Sequence, residues 1–383
     1  MQILFTLLLY GLYSITILNW FGDYRSLRFC AMTSVVALFV FRGIVMADNS
    51  NLHMSRAGKT DEFYTQLSTI EEELRHYRKY FKDKVVLCNC DDPYESNFFK
   101  YFALNFNALG LKKLITTCYA TSPIVNTQLN IFGEETVFST ICEGRRAYKI
   151  EITEVKDADG NETVDLTDVK YLLKSKNNAL SLLNGDGDFC SEECLTLLRE
   201  CDIVVTNPPF SLMKEYLPLL INQGKSFVIL GNVNHITFSE VKPFVLENKM
   251  WLGYNSGHFW FRVPEYYESK GTDYKEDTNG QKWRRMGNSC WFTNLDIPKR
   301  HIPLDLYAKY SDIKYPKYDD YDAIECCTTK DIPENYFDIL GVPITYLPYH
   351  CPEQFEILQI VTPKINGKSK YKRLLIRRVK NEN

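Results

Sequence analysis

No two cysteines form a CxxC pair, and no His/Cys cluster has zinc-ligand spacing, although the chain carries 12 cysteines in 383 residues. Zinc sites take their ligands from closely spaced pairs, so no metal site is expected. The nearest approach, Cys190 with Cys194, is a CxxxC without a second pair. Thiols scattered in this way fit a reducing cytoplasm. Net positive charge is also missing: 45 Lys and Arg stand against 48 Asp and Glu, a formal charge of −3. That excludes a polycation, and any contact with nucleic acid must run through local basic patches. Aromatic side chains are plentiful at 14%, in a composition 45% hydrophobic and 24% charged. This is a globular chain with room for one large α/β domain and an appendage.

The N-terminus does not match the remainder. Ile3 to Phe21 is a nearly uncharged apolar run; after a polar step with Asp23, Arg25 and Arg28, Cys30 to Met46 is apolar apart from Arg42. About 20 apolar residues span a bilayer, so one reading is a membrane hairpin or anchor. A secretory signal is disfavoured, because Met1-Gln2 offers no Lys or Arg side chain ahead of the run. The preferred reading makes residues 1–53 an upstream extension and starts the native protein at Met54, where MSRAGKTDEFYTQ opens the polar-patterned part. Membrane contact follows only if residues 1–46 are translated; otherwise the protein is cytoplasmic.

Beyond that point, helix and strand signals alternate. Ser68 to Tyr80 reads as a helix capped by Ser68, acidic in its first turn and basic in its last, which complements the helix dipole. Val85–Cys88 is a buried strand, Ser96–Ala108 a helix ended by Gly110, and Leu111–Cys118 the next strand. Ala147–Val155 alternates as a half-exposed strand before the DADGNE turn. It lies in a stretch, about residues 121–176, that interrupts the rhythm as an insertion. The pattern resumes with helix Cys190–Arg199, strand Asp202–Thr206, helix Leu212–Asn222 and strand Ser226–Leu230. Such alternation predicts an α/β fold with a doubly wound, mostly parallel sheet whose ligands sit beyond the carboxyl ends of the strands. Residues 54–232 then form the core, and 233–383, dense in Tyr, Trp and Pro, complete the sheet and supply recognition loops.

One tetrapeptide carries chemistry. Strand Asp202–Thr206 runs into Asn207-Pro208-Pro209-Phe210. Two prolines offer no N–H to a ladder, so they fix a rigid extended bend that holds Asn207 and Phe210 at the sheet edge. An arylamine is a weak nucleophile because its lone pair is delocalised. Two acceptors aimed at its hydrogens favour a pyramidal nitrogen and absorb the developing positive charge, and the Asn207 side-chain oxygen and Pro208 carbonyl can serve. Phe210 offers a face on which an extruded base can stack. The bland alternative is a strand-ending turn with a core Phe.

These residues resemble amino-group methyltransferases of the [DNS]PP[YFW] type and, more narrowly, the EcoRI-type adenine-specific DNA methyltransferases. DEFYTQ (Asp61–Gln66), VVLCNCDDP (Val85–Pro93), LNGDGDF (Leu183–Phe189), DIVVTNPPF (Asp202–Phe210) and GVPITYL (Gly341–Leu347) carry the resemblance, in that order. It implies a Rossmann-like class I fold, S-adenosylmethionine as cofactor and methylation of a flipped-out adenine in double-stranded DNA. It also implies that Tyr64 and Thr65 lie against the cofactor's methionine end, and that Asn89, Asp91, Asp92 and Pro93 belong to the cofactor loop. That loop has no glycine, and strand end TTCYA (Thr116–Ala120) lacks the acidic residue that usually grips the ribose. Asp91 or Asp92 can accept from the cofactor's ammonium group. Asp186 and Asp188 can accept from its adenine amino group, or simply build a Gly-Asp turn with one of them capping the next helix.

Two basic clusters are candidates for DNA contact: Lys282, Arg284 and Arg285 beside Trp283, and a C-terminal run with Lys364, Lys368, Lys370, Lys372, Arg373, Arg377, Arg378 and Lys380. Phosphate contacts of this kind would make affinity salt-dependent. Trp251, Trp260, Trp283 and Trp291 read as core. Two other readings stay open: methylation of RNA or of a protein glutamine by the same chemistry, and a membrane-anchored binding protein without activity.

Overall fold

The chain enters as a two-residue strand, β1 (Tyr64–Thr65), and turns directly into helix α1 (Leu67–Leu74). The computed structural model describes residues 64–90, 96–118, 147–157, 160, 164–165, 167–169, 171, 181–263 and 272–379, all within the compact unit Lys59–Asn383. The N-cap of α1 is Gln66 and not Ser68, because β1 ends at Thr65 and the helix is already under way one residue before Ser68. Nor does the helix continue to Tyr80. It stops at Leu74, and a single turn, α2 (Arg78–Phe81), follows a break that carries Tyr77 fully inside. The expected strands β2 (Val85–Cys88), β3 (Lys113–Thr117) and β4 (Tyr148–Ile152) then appear. The helix read over Ser96–Ala108 instead breaks at Asn105 into α3 (Asn97–Leu104) and α4 (Phe106–Leu109), and a short strand, β5 (Ser181–Leu182), is added. The Ser96 hydroxyl caps α3 by accepting from the Phe98 N–H at 3.0 Å, and Gly110 ends α4 at φ 63°. Next come α5 (Glu192–Glu200), β6 (Ile203–Thr206), α6 (Met213–Asn222), β7 (Ser226–Asn232), α7 (Lys242–Leu246), β8 (Trp251–Arg262), β9 (Tyr274–Glu276) and β10 (Lys282–Thr293).

A ten-stranded sheet runs in the order β1-β8-β10-β7-β6-β2-β3-β4-β5, with β9 on β10. Its centre, β7-β6-β2-β3, is parallel, and both flanks are antiparallel. The fold is thus mixed α/β around a large central sheet. The parallel strands are apolar without alternation because both of their faces are covered. Val204 of β6 packs in one cluster with Leu197 of α5 and Tyr216 and Leu217 of α6. Ile203 and Val205 pack in another with Ile70 and Leu74 of α1 and Phe98, Phe99 and Phe102 of α3. By contrast β4, inside the stretch read as an insertion, alternates buried and half-buried residues and pairs with β3.

The C-terminal strands β11 (Ile324–Glu325), β12 (Leu340–Pro343), β13 (Phe355–Val361), β14 (Lys364–Ile365), β15 (Lys368–Ser369) and β16 (Arg373–Arg378) form a four-stranded sheet, β11-β12-β16-β13, and a separate β14-β15 hairpin. Val342, Phe355 and Ile376 from this sheet join the same cluster as α5 and α6. Among the described residues no helix is long and apolar enough to cross a membrane; the apolar run within residues 1–53 lies outside them.

A buried carboxylate joins α1 to β8. Glu73 accepts from the Tyr77 hydroxyl at 2.8 Å, from the N–H groups of Tyr254 and Asn255 at 2.7 Å each, and from Asn255 Nδ2 at 2.9 Å. Burial pushes its pKa up, and the hydrogen bonds act against that rise. Gly253 is the residue that lets the clasp close. A Cβ there would stand 2.3 Å from Glu73 Oε1 and 2.8 Å from Trp291 Cβ. Gly253→Ala is therefore expected to destabilise by about 2 kcal/mol, the usual cost of overpacking. Thermal unfolding would check this, and an unchanged midpoint would show that the clasp has slack.

Candidate active site

The parallel strands release their chains at one edge of the sheet, and the sequence motifs meet there. After β6 the chain is half-buried at Asn207, buried at Pro208 and half-buried at Pro209 and Phe210. Pro209 is extended (φ −53°, ψ 129°), and its carbonyl accepts the Leu212 N–H at 2.9 Å, closing the short turn that leads into α6. With no N–H on either proline the ladder ends at Thr206 and the chain turns outward. The Phe210 ring meets His235 edgewise, with centroids 5.2 Å apart and planes at 82°.

One strand away, at the end of β2, Asn89 is only 6% exposed. Its Oδ1 accepts the Tyr216 hydroxyl from α6. Its carbonyl accepts the Thr117 hydroxyl at 3.1 Å, and the Cys88 carbonyl accepts that of Thr116 at 3.0 Å. The threonines of TTCYA thus brace the end of β2. Asp91, Asp92 and Pro93 lie outside the described residues.

The GDGDF turn comes against the same place. Gly187 has φ +82°, and a Cβ on it would fall 2.4 Å from the Cys118 carbonyl oxygen, so no other residue lets this turn rest on the end of β3. Asp186 Oδ1 accepts the Asp188 N–H at 3.0 Å and Asp188 Oδ1 accepts the Cys190 N–H at 2.9 Å. Both aspartates therefore build the turn, while the cap of α5 is Ser191. Phe189 lies edge-on to Tyr216 at 5.0 Å.

Tyr64 and Thr65 complete the group from the sheet edge. The Arg262 guanidinium stands 4.7 Å from the Tyr64 ring centroid. The Thr65 carbonyl accepts Asn97 Nδ2 at 2.7 Å. Thr65 Oγ1 is buried with no hydrogen-bond partner among the described residues, and a buried hydroxyl left over in this way is suited to a polar ligand. Together with Asn89, this mainly neutral set of oxygen and nitrogen groups fits a methyl donor of the S-adenosylmethionine type. Tyr216, Asn97 and Thr117 are not apparent as site residues in the sequence; their roles depend on contacts between distant segments.

The first basic cluster lies on an arm. Because Ser289 pairs with Asn232 at the end of β7, residues 282–288 of β10 run past that end, together with the second half of β8. Trp283 pairs with Arg262 and with Lys275, and Arg285 pairs with Trp260, so these five side chains share one face. Lys275 Nζ is 4.5 Å from the Trp260 ring centroid and 5.8 Å from that of Trp283. Asp273 holds Arg285 through Nε at 2.9 Å and Nη2 at 2.6 Å, and Trp283 Nε1 donates to Asp277 at 2.9 Å. Lys282 and Arg284 alternate onto the other face. Of the tryptophans read as core, only Trp291 is fully buried. Trp260 and Trp283 belong to the arm, and Trp251 packs under Arg300 at 3.8 Å.

The C-terminal cluster divides. The Arg373 side chain is 11% exposed and ion-paired at 2.7 Å with Glu325, which is 1% exposed and also accepts the Tyr318 hydroxyl. Burial alone would lower the Arg373 pKa, but the Glu325 carboxylate outweighs it and holds the pKa up. Arg377 pairs with Glu356 at 2.7 Å, and Arg378 lies 5.0 Å from the Phe337 ring centroid. Arg373 is thus held inside the second sheet, while Arg377 and Arg378 make their contacts at its surface. Lys368 and Lys372 are exposed and Lys370 is half-buried, on and beside the β14-β15 hairpin. Among the described residues no group of three or more His, Cys, Asp or Glu is placed to hold a metal.

An α/β sheet that presents Asn-Pro-Pro-Phe at the carboxyl end of a buried parallel strand, beside a polar cluster at the next strand end, defines an amino-group methyltransferase. Residues 51–382 match the family described as adenine-specific methyltransferase EcoRI, and the chain belongs to that family. It is 45% identical over 341 residues to the Type II methyltransferase M.EcoRI of Escherichia coli, covering 86% of this chain and 97% of that protein. It is 34% identical over 312 residues to M.MpnI of Mycoplasma pneumoniae, covering 79% and 83% of the two chains. With M.MgeORF184P of Mycoplasma genitalium the identity is 31% over 355 residues, covering 85% and 98%. No solved structure matches the chain. The protein is an adenine-specific DNA methyltransferase, and neither the RNA, protein-glutamine nor non-catalytic reading has support among these relatives.

Proposed function

We propose that this enzyme transfers the methyl group of S-adenosylmethionine to the exocyclic N6 of an adenine turned out of double-stranded DNA, on a doubly wound, Rossmann-like sheet. The observation that carries the reading is Asn207-Pro208-Pro209-Phe210 at the end of β6, one strand from Asn89. Helices α1 and α3 against one face and α5 and α6 against the other support the doubly wound description. In this reading residues 54–232 bind the cofactor, and 233–383 complete the sheet and engage DNA.

Asn207 Oδ1 and the Pro208 carbonyl accept the two amino hydrogens of the adenine, a preorganised arrangement that stabilises positive charge as it develops on nitrogen. When bound, S-adenosylmethionine supplies an electrophilic sulfonium methyl. Tyr64 and Thr65 would lie against its methionine end. Asn89, Asp91, Asp92 and Pro93 would form the loop that holds it, with Asp91 or Asp92 accepting from its ammonium group, and Asp186 or Asp188 would accept from its adenine amino group. The amino proton leaves after transfer, so no strong general base is needed. Phe210 stacks on the extruded base; by analogy with single-strand stacking this contributes about 1–3 kcal/mol.

The arm supplies the DNA contact: Arg262, Lys275 and Arg285 interleave with Trp260 and Trp283 on one face, with Lys282 and Arg284 behind. Lys368, Lys370 and Lys372 form a second patch. Working on cellular DNA, the enzyme acts in the cytoplasm, and its Type II relatives point to a restriction–modification role. The test is incubation with radiolabelled S-adenosylmethionine and unmethylated duplex DNA, single-stranded DNA, RNA or protein. Label is expected in duplex DNA as N6-methyladenine, and label confined to protein or RNA would overturn the assignment. Arg262→Gln with Lys275→Gln should lower the salt slope of DNA binding by about 2, since each phosphate left without its cation removes roughly 0.9. An unchanged slope would remove the arm from the interface.

A further inference from the structure

The turn that follows β7 reaches back to Phe210. Asn232, the last residue of that strand, accepts the Asn234 N–H on Oδ1 at 3.0 Å and donates Nδ2 to the Gly287 carbonyl at 2.9 Å. Its own backbone N–H is donated to Nδ1 of His235 at 3.2 Å. Because Nδ1 accepts from a backbone amide, the proton of the neutral imidazole sits on Nε2. The ring is only 6% exposed, and burial pushes its pKa down to about 4.

Three aromatic rings surround this imidazole. Phe210 meets it edgewise at 5.2 Å, Phe238 is tilted against it at 5.3 Å, and Phe292 is tilted at 6.3 Å. The seat has little slack. Gly231 lies where a Cβ would be 2.6 Å from Met213 Cε and 2.8 Å from Phe292 Cε2. One residue therefore combines two properties that neither a phenylalanine nor an asparagine offers together: an acceptor that satisfies the last amide of β7, and a flat ring facing Phe210.

We infer that His235 is a positioning residue for methyl transfer: fixed to the end of β7, it closes one side of Phe210 and holds that ring ready for the extruded adenine. The inference rests on the stacking role proposed for Phe210. A ring already held in place loses less conformational freedom when the base arrives, so more of the stacking energy goes into holding the flipped base. His235 itself need not touch DNA or cofactor.

A double-mutant cycle tests this, read by turnover and by the fluorescence of 2-aminopurine at the target position of a duplex. His235→Asn keeps an acceptor for the Asn232 N–H and removes the ring; His235→Gln does the same from a longer stem, should the first variant fail to fold. Turnover is expected to fall about 10-fold, the scale of an aromatic pair contact. KM for S-adenosylmethionine should stay within about twofold, since the cofactor's binding contacts are intact. The fluorescence should shift in the same direction as in Phe210→Ala. In a Phe210→Ala background the added loss should be under about twofold, because a residue acting through Phe210 has nothing left to position. Equal losses in both backgrounds would overturn the inference, as would a harmless His235→Asn beside a harmful Phe210→Ala. A fully active Phe210→Ala would overturn the stacking reading and this inference together.

Discussion

Replacing Asn207 with alanine lowers kcat by about two to three orders of magnitude, while KM for the methyl donor stays close to the parent value. That size follows from removing one preorganised polar group aimed at developing charge. The side chain is half-buried at the end of a rigid bend, so the substitution leaves Pro208 and the buried strand behind it in place. The cofactor contacts proposed for Thr65 and Asn89 lie on other strands and are untouched. Single-turnover methylation of a duplex, with calorimetry for the donor, separates the two effects. Near-normal turnover would take Asn207 out of the chemistry, and a matching loss of donor affinity would make it a binding residue instead.

Arg373→Met should cost about 3–5 kcal/mol of stability, since removing one partner of a buried ion pair leaves the other charge uncompensated. Glu325 would keep the Tyr318 hydroxyl but no cation, in a site where its side chain is 1% exposed. The same variant, at a temperature where it remains folded, should bind DNA with the parent's salt slope. Replacing Lys368, Lys370 and Lys372 together with glutamine should do the opposite: little change in unfolding midpoint, and a slope reduced by about 2 to 3 at roughly 0.9 per neutralised phosphate. If Arg373→Met reduces the slope, the guanidinium reaches phosphate after all.

The contrast between these residues marks where sequence reading succeeds. Strand β6, its diproline bend and the Gly110 terminus are local signals, set by propensity, missing N–H groups and a left-handed φ, and they appear where expected. The partner of Arg373 lies 48 residues away, so a run of basic residues looks the same whether it faces solvent or a buried glutamate. Trp260 and Trp283 read as core for a similar reason: their true environment depends on β8 pairing with β10 beyond the end of β7. Ser68 satisfies every local rule for a cap, yet the pairing of Tyr64 with Arg262 decides where the chain must turn. The motif order carries the active site because its parts sit at strand ends, and strand ends in a parallel sheet gather at one edge.

Among the described residues the outermost strands of the large sheet, β1 and β5, have two residues each, and β9 has three, including Lys275 and Glu276. An exposed strand edge is a template on which another copy can pair and begin to aggregate. β1 pairs with Phe261 and Arg262 of β8, and farther along that strand the Glu73 carboxylate of α1 accepts the N–H groups of Tyr254 and Asn255. The rim of β8 is thus closed partly by a side chain from a helix and not by a strand, which leaves fewer free amides for a second copy to pair with.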